Sequence, residues 1–203
     1  MISSPLVAQD RTHPDPTQVE ITPLFGYRTN MSVTTDPGIE GVTSKIVFRD
    51  APAYGVAVGV RAHDEDVVEF RWSRRQSRLL VVGPIVAPSN ERVTLDQFHM
   101  DCSHEFVVEE WPLWARPYIM ASVGATHISS TELLGSMTRF SFGIGAGIKV
   151  FPSRQVGFKV QAEWLPLWIT QSVGAVCSGG CVVRFTGQLI SQGEVTIGPV
   201  FRF

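Results

Sequence analysis

The sequence predicts an all-β chain: an eight-stranded antiparallel up-and-down transmembrane β-barrel with a polar interior. Three observations predict it. Segments of about ten residues alternate strictly between apolar and polar positions, which marks strands with two unlike faces. The polar positions mix charge with glycine while the apolar face runs unbroken, so the greasy side faces outward and the polar side inward, as in barrels that span a membrane. Charged residues make up only 18% of the 203, below the roughly 25% of a typical soluble domain. Yet no stretch approaches the ~20 apolar residues a spanning helix needs. The richest run, Leu79 to Ala87, is broken by Gly83 and Pro84.

The closing strand is the clearest. In Glu194 to Phe203 the residues Val195, Ile197, Pro199, Phe201 and Phe203 share one parity, and Glu194, Thr196, Gly198, Val200 and Arg202 the other. From the start of the chain, residues 1–17 hold three prolines among scattered polar residues and read as a flexible tail, with the barrel over 18–203. In the first strand Val19, Ile21, Pro23, Phe25 and Tyr27 oppose Glu20, Thr22, Leu24, Gly26 and Arg28. Asn30 to Ala53 is a long polar connection with a turn at Asp36-Pro37-Gly38, and its β-like patch, Val42 to Phe48, extends a strand beyond the membrane. Tyr54 to Ala62 makes the second strand. After the turn His63-Asp64-Glu65-Asp66, Val68, Phe70 and Trp72 oppose Glu69, Arg71, Ser73 and Arg75 in the third.

Gly83 to Arg92 reads as a loop. In the fourth strand Phe98, Met100, Cys102 and Phe106 oppose Gln97, His99, Asp101, Ser103 and Glu105. His104 falls on the apolar parity, which places it at an interface or marks a bulge that shifts the register. Pro117 to His127 forms the fifth strand and Ser129 to Met137 a loop. The sixth sets Phe140, Phe142, Ile144, Ala146, Ile148 and Val150 against Arg139, Ser141, Gly143, Gly145, Gly147 and Lys149. The seventh sets Phe158, Val160, Ala162 and Trp164 against Lys159, Gln161 and Glu163, and a long loop, Gln171 to Gln188, precedes the closing strand. The first, third, fifth and seventh connections are expected to be longer than the second, fourth and sixth, with both chain ends on the short-turn side.

The inward parity carries Arg28, Arg61, Glu69, Arg71, Arg139, Lys149, Lys159, Glu163, Glu194 and Arg202, together with Glu20, Arg75, Asp101 and Glu105. Eight strands enclose only enough room for side chains, so these charges are expected to pair into a plug without an open pore. Glycines of the sixth strand are expected to make room for the Arg and Lys chains of its neighbours. Trp111, Trp114, Tyr118, Phe158 and Phe203 are expected at one membrane interface and Tyr54, Phe140 and Trp168 at the other.

Phe25-Gly26-Tyr27-Arg28, Arg116-Pro117-Tyr118, Gly143-Ile144-Gly145-Ala146-Gly147-Ile148-Lys149 and the terminal Phe203 together resemble the small bacterial outer-membrane barrels grouped with the OmpA membrane domain. The resemblance covers nearly the whole chain from Val19 onward. It implies a monomer in the outer membrane, bounded by outer-membrane lipid, with a structural or adhesion-type role carried by external loops that meet a host or surface ligand. It also implies Phe203 as part of the signal read by the barrel-assembly machinery. Met1-Ile2-Ser3-Ser4-Pro5 has no basic n-region and no apolar h-region, so this reading expects a leader to have been removed. The formal net charge of −2 and the lack of a basic cluster offer nothing to nucleic acid.

No cofactor and no metal are expected, because the histidines are dispersed and the cysteines lack ligand spacing. A first alternative is a lipid A-modifying enzyme. His127-Ile128-Ser129, with Glu132 nearby, is similar to the His-x-Ser pair and Glu of lipid A 3-O-deacylases. An imidazole beside a serine suits nucleophilic chemistry. The family places its pair near the C-terminus and follows it with Asn, where this chain has Ser130, so the protein is read as not an enzyme. A second alternative, a soluble lipocalin-like carrier, needs the inverse pattern, apolar inside and polar outside.

Two outcomes follow from the sequence. Cys177-Ser178-Gly179-Gly180-Cys181 brings two thiols across a Gly-rich tip, and outside the cell they are expected to form a disulfide worth about 2 kcal/mol. Alkylation followed by mass measurement should block one thiol before reduction, that of Cys102, and all three after it; three blocked without reductant refutes the bridge. Deletion of Phe203 should impair assembly into the membrane, and insertion as efficient as the parent's would remove the terminal residue from the signal.

Overall fold

In the computed structural model the described residues are 18–29, 31–35, 44–63, 65–82, 90–107, 114–130, 136–169, 175–176, 182–183 and 188–203. The tail 1–17, Trp111, Glu132, Cys177 and Cys181 lie outside them, and so do the expectations that fall there. The strands are β1 (Val19–Arg28), β2 (Met31–Thr35), β3 (Ser44–Phe48), β4 (Ala51–Arg61), β5 (Asp66–Val82), β6 (Asn90–Glu105), β7 (Ala115–Ser130), β8 (Ser136–Val150), β9 (Val156–Trp164), β10 (Leu167–Ile169), β11 (Ala175–Val176), β12 (Val182–Val183), β13 (Gln188–Ile190) and β14 (Gly193–Arg202).

Eight of them, β1, β4, β5, β6, β7, β8, β9 and β14, pair each with the next, and β14 pairs back onto β1. All ladders are antiparallel, and closure leaves no sheet edge open within the ring. The closing seam runs from Glu20↔Arg202 to Arg28↔Glu194. It is finished by reciprocal bonds in which the Val19 N–H donates to the Phe203 carbonyl at 3.1 Å and the Phe203 N–H to that of Val19 at 2.9 Å. β10 continues β9 in the same register against β8, Ile144↔Trp164 being followed by Leu167↔Ser141. The gap falls at Pro166, which has no N–H to give the ladder.

Burial alternates along the strands as the two-faced pattern requires: β9 reads exposed, buried, exposed without a break. Ile144, Val195 and Ile197 are outward and 54–55% exposed, whereas Lys149 and Arg28 are inward and fully buried. This is the inverse of a soluble carrier, and it is what a lipid-facing wall around a polar interior looks like. The β5–β6 register is unbroken from Asp66↔His104 to Leu80↔Asn90. His104 is therefore not a bulge. It points outward at the turn end of β6, where its ring meets Asp66 Oδ1 at 2.8 Å.

Several expectations are corrected. Ser129, Ser136 and Met137 belong to strands, because the β7–β8 ladder continues to Ser129↔Ser136. Asn90 to Arg92 likewise lie in β6. As a result the third and fifth connections are both shorter than the fourth: 83–89 separates β5 from β6 and 131–135 separates β7 from β8, while 106–114 separates β6 from β7. The alternation of loop length therefore fails at those points. The long first connection folds into the hairpin of β2 and β3, and β3 pairs with the end of β5 from Lys45↔Val82 to Phe48↔Leu79. That hairpin continues the wall beyond the ring.

Tyr118 is not at an interface. It is 2% exposed and points into the barrel. Trp114 and Phe158 do project outward, as do Tyr54 and Phe140 at the other end.

The glycines of β8 make room for other groups than expected. A Cβ on Gly147 would meet the Tyr118 ring and the Val160 carbonyl, and one on Gly143 would meet the Glu163 carboxylate and the Ser122 hydroxyl. No Arg or Lys side chain is among the nearest atoms at Gly143, Gly145 or Gly147. Gly147→Leu is expected to lower the urea midpoint of the refolded barrel by an amount worth about 1–3 kcal/mol, the cost of overpacking. An unchanged midpoint would show that the Tyr118 ring is not held against this glycine.

Candidate functional site

The densest chemistry lies inside the barrel, on inward positions that strand alternation alone selects. Among the described residues it forms a stack of ion pairs. Near the end carrying the β2–β3 hairpin, Arg28 Nε donates to Glu194 Oε2 at 2.6 Å, and its Nη2 reaches the same oxygen and also Ser73 Oγ at 3.2 Å. These two residues are direct partners across the closing seam.

At mid-depth Arg71 of β5 donates to Glu163 of β9 through Nη1 at 2.5 Å and Nη2 at 2.9 Å. Its Nε lies 2.8 Å from Asp101 Oδ2. β5 and β9 stand on opposite sides of the ring, so this fork spans the lumen. One layer further down, Lys159 of β9 donates to both oxygens of Glu69 of β5, at 2.6 and 2.8 Å, and spans it again.

The layer at the turn end is anchored by Lys149, which is fully buried. Its Nζ lies 2.7 Å from Glu20 and 2.9 Å from Glu105. Arg202 donates to Glu20 at 2.6 Å and Arg61 to Glu105 at 2.9 Å. The Tyr118 ring lies 5.7 Å from the Lys149 ammonium and 5.5 Å from that of Lys159, within cation–π range of both. Its hydroxyl donates to Gln161 at 2.9 Å.

Sequence reasoning missed two parts of this interior. His99 is buried with its ring nitrogens 3.1 Å from Ser122 Oγ and 2.8 Å from Ser141 Oγ, and Ser122 in turn donates to Glu163 at 2.8 Å. Their common inward parity was the available signal. The other part is apolar. Val93, Leu95, Ile128, Leu165 and Leu167 are inward or buried at the hairpin end, four of them with no exposed surface. The strand alternation gave no warning of this, since Val93 and Ile128 fall just outside the segments assigned as strands from the sequence.

Arg75 and Arg139 lie apart from the paired charges. Arg75, fully buried, donates to the carbonyls of Thr29 and Arg49 at 3.4 and 3.1 Å, and Arg139 to that of Thr138 at 3.2 Å. The other candidate, His127, projects from the outer wall. Its Nδ1 is 2.9 Å from Thr138 Oγ1 and its Nε2 3.2 Å from Ser136 Oγ, so both ring nitrogens face hydroxyls of β8, not Ser129. No group of three or more His, Cys, Asp or Glu residues among the described residues could hold a metal ion.

No protein-family model and no curated sequence matches the chain. Its structure is similar to that of the outer membrane protein OprG from Pseudomonas aeruginosa, with a TM-score of 0.67 and 11% identity over 92% of this chain and 96% of that one. It is also similar to Neisserial surface protein A, with a TM-score of 0.58 and 14% identity over 91% and 97%. A third similar structure is that of the outer membrane protein AlkL in DMPC lipid bilayers, at 0.54 and 9% over 100% and 97%. The fold of this chain is that of the small outer-membrane β-barrels.

Proposed function

We propose that the protein is an integral protein of the bacterial outer membrane, monomeric and without an open pore, whose role is structural or interactive and is carried by the loops at its outer end. The observation that supports this best is the bridged lumen. Arg71–Glu163 and Lys159–Glu69 cross the barrel, and an apolar layer of Leu95, Leu165 and Leu167 lies beyond them. Breaking one buried pair leaves a charge uncompensated, at a cost of about 3–5 kcal/mol, so these bridges do not open to let solutes through. What remains free to act is the outer surface and its connections, where binding residues commonly reside. The lipid-facing wall fits outer-membrane lipid as the surroundings, and the described residues leave no barrel-ring edge for a second chain to extend.

The lipid A-hydrolase reading draws no support from His127, whose ring is engaged by Ser136 and Thr138. The soluble-carrier reading requires an apolar lumen, which the ion pairs contradict. The barrel-assembly machinery is the expected partner during insertion, through the strand that ends in Phe203, and a host or surface ligand is the expected partner afterwards.

Two measurements test the proposal. The purified protein in a planar bilayer should give no resolved current steps, and steps of a size expected for an aqueous channel would overturn the closed-lumen reading. On intact cells, an epitope inserted between 171 and 174 should be reached by antibody while one inserted at Arg154 is not. Accessibility of both, or of Arg154 alone, would overturn the orientation.

A further inference from the structure

The outward face of β5 changes character beyond Trp72. The next outward positions are Arg74, Gln76 and Arg78. Arg74 is neutralised, its Nε donating to Asp96 Oδ1 at 2.7 Å and its Nη2 to Oδ2 at 2.9 Å. Arg78 is not. It stands directly opposite Arg92 of β6. On its other side the Arg49 N–H donates to the Arg78 carbonyl at 3.1 Å, continuing the β3–β5 register that ends at Phe48↔Leu79. Arg49, Arg78 and Arg92 are all exposed. Three arginines thus occupy one cross-strand row whose backbone positions span about 10 Å, at the usual strand spacing. Among the described residues none of the three forms an ion pair with a carboxylate, including the neighbouring Asp50.

Like charges directly opposite across a sheet are destabilising, and a row of them on the outer wall is retained at a cost unless an anion lies against it. Guanidinium forks match phosphate oxygens in pairs. The height of the row narrows the source. With the hydrocarbon boundary taken at Trp72, where the outward face of β5 turns from apolar to charged, Arg78 lies three outward positions beyond it, which at ~3.4 Å per residue and a tilt of about 40° is roughly 15 Å along the barrel axis. The headgroup layer of a phospholipid bilayer adds only about 5–8 Å to each side of the hydrocarbon. A phospholipid phosphate would therefore lie at the level of Arg74, which Asp96 already neutralises. An anion at the level of Arg78 belongs to a thicker headgroup.

We propose that Arg49, Arg78 and Arg92 form a binding row for the phosphorylated saccharide headgroup of an outer-leaflet glycolipid. The inference rests on the outer-membrane orientation proposed above. The row holds the headgroup against the outer wall, next to the hairpin of β2 and β3, and neutralises the three arginines in return.

The test uses the refolded full-length chain in a neutral detergent, titrated with rough lipopolysaccharide that carries a phosphorylated inner core. Bound lipid is counted by native mass spectrometry. The triple variant Arg49→Gln/Arg78→Gln/Arg92→Gln should bind at least about tenfold more weakly, as the loss of charge-assisted hydrogen bonds implies. Arg154→Gln, in the turn at the opposite end, should bind as the parent does. Lipopolysaccharide stripped of its core phosphates should bind the parent as weakly as the intact lipid binds the triple variant, and added salt should weaken the parent's binding. Folding is checked by heat-modifiable migration on gels, and Arg78→Gln alone is read in the same way should the triple variant not refold. The proposal is overturned if the variants bind like the parent, if the dephosphorylated lipid binds equally well, or if millimolar inorganic phosphate or phosphatidylglycerol displaces the lipid. Because no cell is used, failure here is distinct from failure of the epitope experiment, which alone tests orientation.

Discussion

Two ion pairs that cross the lumen, Arg71–Glu163 and Lys159–Glu69, are the interactions on which the rest of the structure depends. Both join β5 to β9 from opposite sides of the ring. Each places a charge where water does not reach it, so each demands its partner. Satisfying them fixes the diameter, since only a narrow barrel brings opposite walls within reach of an arginine and a glutamate. It also fixes the register, because a one-residue slip of either strand would turn its charges into the lipid and its apolar residues into the lumen.

The other interior groups follow from these two pairs. Glu163 also accepts from Ser122, and Ser122 meets His99, whose second nitrogen meets Ser141. Tyr118 lies within cation–π range of both Lys149 and Lys159, and it fits only because Gly147 presents no side chain to the ring. The glycines of β8 thus serve the acid and the tyrosine, and through them the cations. A network so connected is rigid, because removing one member leaves the next without a partner. That rigidity separates two regions of the molecule: a lumen built to hold still, and the end carrying the β2–β3 hairpin, which on the proposed function is the part that meets other molecules.

The hairpin end shows a second use of the same residue type. Arg28 and Arg71 are buried and paired, whereas Arg78 and Arg92, on the opposite parity and higher on the wall, face each other and are exposed. In the lumen the protein supplies the counter-charge itself. On the wall at this height the described residues do not, and the surroundings are the available source.

The barrel was legible in the sequence because its two faces meet different solvents. Lipid outside and paired charge inside impose a period of two on every spanning segment, and that period needs no knowledge of neighbours. It placed Arg71, Glu163, Lys149 and Glu194 inward and Phe142, Ile144 and Ile197 outward. It could not say which charge meets which, because Arg71 and Glu163 are far apart in sequence and become neighbours only when the ring closes. Nor could it place Tyr118, whose ring is compatible with a membrane interface as well as with the lumen and is drawn inward by two ammonium groups from other strands. The lengths of β7 and β8 were also underread, since polar positions such as Ser129 and Ser136 pair as strand above the membrane without any alternation to announce them. Sequence determined the side of the wall on which each residue stands, through the local geometry of a strand. Tertiary structure alone decided the partners and the heights, because those depend on closure and tilt, which no single strand encodes.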